Sequence, residues 1–315
     1  MKEYYNFKML SSKYNLLTIL GPTACGKTQL AVAAAAKLGS CVISADSRQV
    51  YRQMDIGTGK DLSEYSFEGS KVPHYLIDIC QPGEKYNVYE FQKDFFNVYE
   101  KVYAENAIPV LCGGSGLYIE AVLSNYQLLS VPVNEDLRNS LKNKSLEELA
   151  TILASYKLMH NKSDVDTVKR AIRAIEIAEY QKNHISNSPN RPVINSLIIG
   201  IDFEREIVRK RITERLHQRL EEGMIDEVKS LLNKGLHSED LIYYGLEYKY
   251  ITLYLIGQLT YDDMVAQLNI AIHQFSKRQM TWFRKMERSG FKIHWVEGEM
   301  PLGEKLNSVF SLLNF

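Results

Sequence analysis

Residues 21–28 of this chain read Gly-Pro-Thr-Ala-Cys-Gly-Lys-Thr, which satisfies the phosphate-loop pattern G-x-x-x-x-G-K-[ST]. An apolar run, Leu16-Leu17-Thr18-Ile19-Leu20, leads into it, and an alanine-rich, helix-favouring stretch from Gln29 to Lys37 leads out. Strand, loop and helix in that order are the context the pattern requires. The backbone N–H groups of Gly21, Thr23, Ala24, Cys25 and Gly26, with Pro22 shaping the turn, are expected to face phosphate oxygens at the helix N-terminus. Lys27 adds a point charge, and the Thr28 hydroxyl is a candidate ligand for Mg2+. With glycine near 7% of residues, the pattern arises by chance in roughly one chain in a hundred of this length. An ordinary turn before a helix is therefore a poor explanation, and a di- or triphosphate is the expected ligand.

Short apolar runs alternate with helical patterns through the first third. Strands are expected at 16–20, 41–45, 74–79 and 108–112, and between the last two Phe91, Phe95, Val98 and Val102 recur at helical spacing. That alternation predicts an α/β fold with a parallel sheet flanked by helices, of the kind that carries phosphate loops. After Gly113-Gly114-Ser115-Gly116 the pattern turns charged and helix-favouring until a breaker cluster, Asn187-Ser188-Pro189-Asn190-Arg191-Pro192. A continuous apolar run, Leu197 to Ile201, then resembles another core strand. The expected organisation is a catalytic core of residues 1–120 and 195–315, with residues 121–194 a small all-helical insertion domain. From Glu204 onward helices are expected at 204–222, 224–234, 245–256 and 260–288, with a short last strand near 292–296.

At 315 residues the chain is long enough for a large domain and a smaller one. Thirty-eight basic residues balance thirty-eight acidic ones, so a nucleic-acid surface must be a local patch. Cys25, Cys41, Cys80 and Cys112 lie far apart without a C-x-x-C pair, which argues against a zinc module and suits a reducing, cytoplasmic location. The stretch Met1 to Tyr14 lacks the apolar segment of a signal peptide, and no run of about 18 apolar residues predicts a membrane span.

Several segments, in order along nearly the whole chain, resemble the tRNA dimethylallyltransferases (tRNA isopentenyltransferases), and their bacterial type in particular since no zinc-finger extension follows. They are Gly21 to Thr28, Asp46-Ser47-Arg48-Gln49-Val50-Tyr51, Asp55-Ile56-Gly57-Thr58, Gly113 to Tyr118, Arg170 to Glu176, and Lys277-Arg278-Gln279-Met280-Thr281-Trp282-Phe283-Arg284. The resemblance implies transfer of a dimethylallyl group from dimethylallyl diphosphate to N6 of adenosine 37 in tRNAs reading codons that begin with U, with release of diphosphate. It implies a tRNA anticodon stem-loop as partner, Mg2+ as cofactor, and a monomer.

On that resemblance Asp46 is the general base, placed at the C-terminal end of the second strand where open parallel sheets bind ligands. A turn or N-cap aspartate is the competing structural reading. Ser47, Arg48 and Gln49 match the RNA-contacting segment, and Ser115 replaces the family's usual threonine. The diphosphate's developing charge falls to the loop, to the Thr23 hydroxyl and to an arginine of the pattern R-I-x-x-R, which is Arg215 or else Arg211. The competing reading makes both of them solvated charges on a helix that also carries Arg205, Arg209, Lys210 and Arg219. Asp78 is open between an outer magnesium carboxylate and a turn residue.

Lys277, Arg278, Gln279, Trp282 and Arg284 form the main RNA candidate, cations interleaved with an aromatic, against the alternative of Trp282, Phe283 and Met286 in the core. Lys169, Arg170 and Arg173 match the segment that touches the anticodon stem-loop, with Lys169 standing where Gln or Asn is commoner. At Gly245 to Tyr250 the family usually has Gly-Tyr-Lys-Glu, and Glu247 here replaces the glycine. Two other activities compete: prenylation of free AMP, ADP or ATP, and phosphoryl transfer by a small-molecule kinase. The helical insertion and the Lys277 to Arg284 segment favour tRNA over free nucleotides, and a kinase would release ADP from ATP with dimethylallyl diphosphate competing weakly or not at all.

Overall fold

The computed structural model describes residues 13–156, 165–183 and 191–313. The stretch before Lys13 and most of the breaker cluster, residues 187–190, lie outside the described residues. The chain divides into two compact units, Met1–Asn125 with Pro192–Phe315, and Tyr126–Arg191.

The first unit is built on a six-stranded sheet in the order β5-β2-β6-β1-β7-β8, with every pairing parallel. Its strands are β1 (Leu16–Leu20), β2 (Val42–Ser44), β5 (His74–Tyr75), β6 (Val110–Gly113), β7 (Ser196–Asp202) and β8 (Ile293–Glu297). A small antiparallel ribbon, β3 (Ser66–Phe67) with β4 (Ser70–Lys71), stands apart. Every residue of β1 is buried, as a strand covered on both faces requires. Leu17 and Ile19 point into one hydrophobic layer with α1 (Lys27–Lys37) and α12 (Leu302–Leu313). Leu16 and Leu20 point into the opposite layer with α2 (Val88–Ala104) and α3 (Gly116–Leu123).

Helix α2 starts where the Asn87 side chain accepts hydrogen bonds from the N–H groups of Tyr89 and Glu90. It buries Phe91, Phe95, Tyr99 and Val102, so the aromatic stripe is core. The strand expected over 74–79 ends at Tyr75, because Leu76 and Asp78 take φ of 62° and 55° and leave the extended region.

The second unit holds α4 (Glu135–Leu141), α5 (Leu146–Tyr156) and α6 (Val168–Asn183) around Leu149, Leu153, Ala171 and Ile175. The rest of the first unit is helical: α7 (Arg205–Glu221), α8 (Met224–Asn233), α9 (Ser238–Tyr244), α10 (Leu246–Leu255) and α11 (Tyr261–Arg288). Among the described residues no helix is long and apolar enough to cross a membrane.

Candidate active site

The loops after β1, β2 and β6 leave the same edge of the sheet. After β1, Ala24 and Gly26 both take left-handed φ, 64° and 78°, so the chain curls back before α1 begins at Lys27. Such a curl turns successive N–H groups toward one point, the geometry of an anion nest. The Lys27 ammonium donates to the Pro22 carbonyl at 3.2 Å, and Cys25 is buried against Gly21. The Thr28 hydroxyl lies near the Glu64 carboxylate. Desolvation and the neighbouring Asp61 push the Glu64 carboxyl up, while Arg215, Lys27 and Thr28 pull the other way.

After β2, Asp46 Oδ1 accepts the Arg48 N–H at 2.8 Å, which makes Asp46 the head of an Asx turn. The turn does not use the second carboxylate oxygen, so the structural and chemical readings of Asp46 coexist. The Ser47 N–H donates to Ser115 Oγ at 3.3 Å, bringing the ends of β2 and β6 together. Gln49 is spent locally, accepting from Ser44 Oγ at 3.3 Å and donating to the Gly59 carbonyl at 3.4 Å. The Arg48 guanidinium lies over the Tyr244 ring at 5.8 Å. Three glycines after β6 mark close approaches: an added Cβ would stand 2.3 Å from the Ala45 oxygen at Gly113, 2.2 Å from Gln279 Nε2 at Gly114 and 2.4 Å from the Trp282 ring at Gly116.

Helix α7 brings Arg215 to Thr23 and Ala24, and beside it Arg219, one turn on. Their guanidinium nitrogens crowd the point where a Gly59 Cβ would stand, at 2.6 Å and 1.6 Å. Glu247, in the first turn of α10, lies 3.8 Å from Arg219, and the two side chains are only 15% and 13% exposed. Burial and the neighbouring Arg219 charge push Arg215 down to about 10. Burial also lowers Arg219 and raises Glu247, the directions expected where charges are short of compensation. Arg211 goes elsewhere, stacking on the Phe203 ring at 4.7 Å, so of the two candidate arginines only Arg215 reaches the pocket.

Helix α11 corrects part of the RNA reading. Gln279 is buried, its Oε1 accepting the Thr23 N–H at 2.9 Å and its Nε2 donating to the Gly114 carbonyl at 3.0 Å. Both ends of the amide are used, so Gln279 ties the phosphate loop to the loop after β6 and is not an RNA contact. Trp282 donates its indole N–H to Glu120 at 2.7 Å, and the Lys285 ammonium caps its ring at 4.8 Å, so this aromatic also faces inward. Phe283 and Met286 are core, whereas Lys277, Arg278 and Arg284 are exposed.

In the second unit, Lys169 and Arg170 are exposed, Arg170 pairing with Asp166 at 3.1 Å. Arg173, its side chain half-buried, donates to Glu176 and, at 2.9 Å, to the Val131 carbonyl. It braces α6 against the segment before α4.

Comparison with known proteins decides the family. A family model described as IPP transferase matches residues 49–286, and one described as Isopentenyl transferase matches residues 14–79. A tRNA dimethylallyltransferase 1 of Parabacteroides distasonis is 60% identical over 96% of this chain and 98% of that protein. The chain belongs to the tRNA dimethylallyltransferase family. A family member of Trichlorobacter lovleyi, tRNA dimethylallyltransferase 2, is 51% identical over 91% of this chain and 93% of its own length. The crystal structure of a tRNA isopentenylpyrophosphate transferase from Bacillus halodurans superposes with TM-score 0.69 at 33% identity, covering 95% of each chain.

As a member of this family the chain is a prenyltransferase, and several residues of its site are not evident from sequence. Arg219 reads there as a solvated charge, although its spacing from Arg215 places it on the same helix face. Glu227 of α8 accepts the N–H groups of Asp55, Ile56 and Gly57 at 2.8, 2.7 and 3.1 Å and the Tyr248 hydroxyl at 2.7 Å. Nothing in the sequence pairs a glutamate with a loop 170 residues away. Lys60, its side chain 1% exposed, donates to the Tyr51 carbonyl at 2.9 Å and to the Asp55 and Asp78 carboxylates. Asp78 is thereby a turn residue paired with lysine.

Proposed function

We propose that the chain transfers the dimethylallyl group of dimethylallyl diphosphate to N6 of adenosine 37 in tRNAs that read codons beginning with U, yielding N6-isopentenyladenosine and diphosphate. One observation carries this reading: a phosphate cradle topped by Arg215 shares one sheet edge with Asp46, close enough for the Asp46 charge to act on the guanidinium. A kinase would need that edge for an attacking hydroxyl. A carboxylate beside a diphosphate suits a reaction in which a proton leaves a nitrogen while negative charge grows on a departing diphosphate.

In this mechanism the amine nitrogen attacks the allylic carbon as the C–O bond breaks and its electron pair passes to the diphosphate. Asp46 accepts the N6 proton. The loop N–H groups, Lys27, the Thr23 hydroxyl and Arg215 stabilise the diphosphate charge, most in the transition state. The Thr28 hydroxyl, with Glu64 beside it, would hold Mg2+, which would supply further neutralisation of the diphosphate charge. The anticodon stem-loop would meet Lys277, Arg278 and Arg284 on α11, with Lys169 and Arg170 of the helical unit. For the adenine to reach Asp46 it must leave its stack, at a cost of a few kcal/mol offset by phosphate contacts. A cytoplasmic location and a monomer belong to the same reading, and the four free cysteine thiols suit a reducing compartment.

The test supplies the protein, Mg2+ and labelled dimethylallyl diphosphate with an unmodified anticodon stem-loop, and with AMP in parallel. Label should enter the stem-loop at its adenosine and not AMP. Asp46→Ala should abolish transfer while donor binding persists; unchanged turnover removes Asp46 from the mechanism, and prenylated AMP in place of RNA replaces the acceptor.

A further inference from the structure

The pocket beside the phosphate loop contains one more cation than a single-arginine site needs. Thr23 and Ala24 form one wall, Ile212 and Leu216 of α7 give it an apolar floor, and two guanidiniums enter from the same helix. Arg215 and Arg219 meet at the gap left by Gly59, which at φ 65° also has no side chain to push them apart. Glu247 is the carboxylate that acts most strongly on both, with Asp46 on each and Glu64 on Arg215 acting more weakly, and it lies 3.8 Å from Arg219, beyond hydrogen-bond reach. Among the described residues neither guanidinium donates a hydrogen bond to the protein. Two adjacent, largely buried cations with unspent donors are costly to hold in a protein interior. The arrangement becomes favourable when a ligand with several anionic oxygens enters between them and the loop.

We propose that Arg219 is a second diphosphate-binding arginine of this chain, closing with Arg215 on the donor, and that Glu247 is the positioning residue that holds Arg219 toward the loop. Both assignments rest on the donor reading above. Glu247 reaches Arg219 because α10 begins abruptly: Gly245 and Leu246 take φ of 77° and 37°, which turns the first helical side chains toward α7. Glu247 stands near Arg219 without taking a hydrogen bond from it, so it can place Arg219 while leaving the guanidinium donors open to diphosphate oxygens. A guanidinium fork can span two phosphate oxygens, which an ammonium cannot.

The experiment measures binding of inorganic diphosphate and of a non-reactive thio-analogue of dimethylallyl diphosphate by calorimetry in Mg2+, with stem-loop RNA titrated separately. Arg219→Gln should weaken both diphosphates by roughly 10- to 100-fold, as loss of charge-assisted hydrogen bonds does, and leave RNA affinity within about twofold. Arg219→Lys, which keeps the charge and loses the fork, should fall between, and its folding is checked by its melting curve. Glu247→Gln should weaken diphosphate binding in the parent but not in the Arg219→Gln background, since a residue acting through Arg219 has nothing to add once it is gone. Wild-type diphosphate binding with Arg219→Gln and Arg219→Lys both unaffected overturns the inference alone. Additive losses from Glu247 overturn its positioning role. Lower RNA affinity with diphosphate binding unchanged makes Arg219 a tRNA-phosphate contact, and a wild type that binds no diphosphate overturns the donor reading together with the inference.

Discussion

Replacing Gln279 by methionine separates an internal tether from an RNA contact. Methionine has nearly the volume of glutamine, so it adds little cavity cost and removes only the polar ends. In the structure those ends hold two backbone groups, the Thr23 N–H at 2.9 Å and the Gly114 carbonyl at 3.0 Å, around a side chain 7% exposed. Each buried group left without a partner costs about 1–3 kcal/mol. Thr23 is only partly buried, and its N–H can regain a water, which places it at the low end of that range. The expected loss is therefore about 2–4 kcal/mol, or roughly 5–12 °C in melting temperature for a unit of this size. The assay is thermal unfolding with and without diphosphate, alongside stem-loop binding at a temperature where the variant is folded. The tether predicts a lowered melting point, weaker diphosphate binding through a loosened loop, and RNA affinity within about twofold of the parent. An unshifted melting point with RNA affinity reduced severalfold would refute the reasoning and return Gln279 to the RNA surface.

Gly59→Ala places a methyl group on the two guanidiniums at a left-handed φ of 65°, so it should cost about 1–2 kcal/mol of backbone strain and weaken diphosphate binding; calorimetry showing parent affinity would contradict the packing. Lys277→Ala with Arg284→Ala should lower stem-loop affinity and reduce the slope of log affinity against log salt by about 1 for each phosphate no longer neutralised, read from a salt titration. Glu176 is buried, and although desolvation pushes its carboxyl up, hydrogen bonds from Arg138, the Asn134 N–H and Arg173 hold it below the ordinary range. Its folded value lies below its unfolded one, so it contributes stability above the unfolded value, about pH 4.3, that is lost as the pH falls through the folded value. Acid titration of the helical unit's circular dichroism should show this loss, and Glu176→Gln should flatten it.

Legibility in the sequence depends on whether a signal is local. The phosphate loop, β1 and α1 can be read because a strand, a left-handed turn and an alanine-rich helix each write themselves into consecutive residues. Helices α2, α7 and α11 are legible from apolar spacing within a residue or two of their ends. The strand expected at 74–79 is too long because Leu-Ile-Asp-Ile has strand composition, while Lys60, far off in sequence, draws Asp78 into a turn. Helices α9 and α12 leave no usable signal, one too short to show a period and one beyond the last expected strand. Arg173 and Gln279 sit in segments that carry the family resemblance, yet Gln279 is buried and Arg173 is paired with Glu176 and the Val131 carbonyl. A segment pattern ranks positions by their company and not by direction. Direction depends on partners such as Val131 and Gly114, which become neighbours only on folding.

The loop from Asp46 to Lys60 binds the two halves of the reaction into one element. On the proposed mechanism Asp46, at its start, serves the acceptor, and near its end Gly59 leaves the gap in which both arginines lie. Gln49, beside the acceptor end, donates to the Gly59 carbonyl, so the two ends are joined across the loop. The middle is fixed from outside: Glu227 accepts three successive N–H groups, and the Tyr248 ring fills the space that a side chain at Gly57 would need. Lys60 closes the base through Tyr51, Asp55 and Asp78. A loop pinned at so many points cannot move Asp46 and Gly59 independently on the scale of a hydrogen bond. Placement of the carboxylate relative to the diphosphate cations thus depends on Glu227 and Lys60, neither of which lines the pocket, which is why a short surface-edge segment carries so many buried polar contacts.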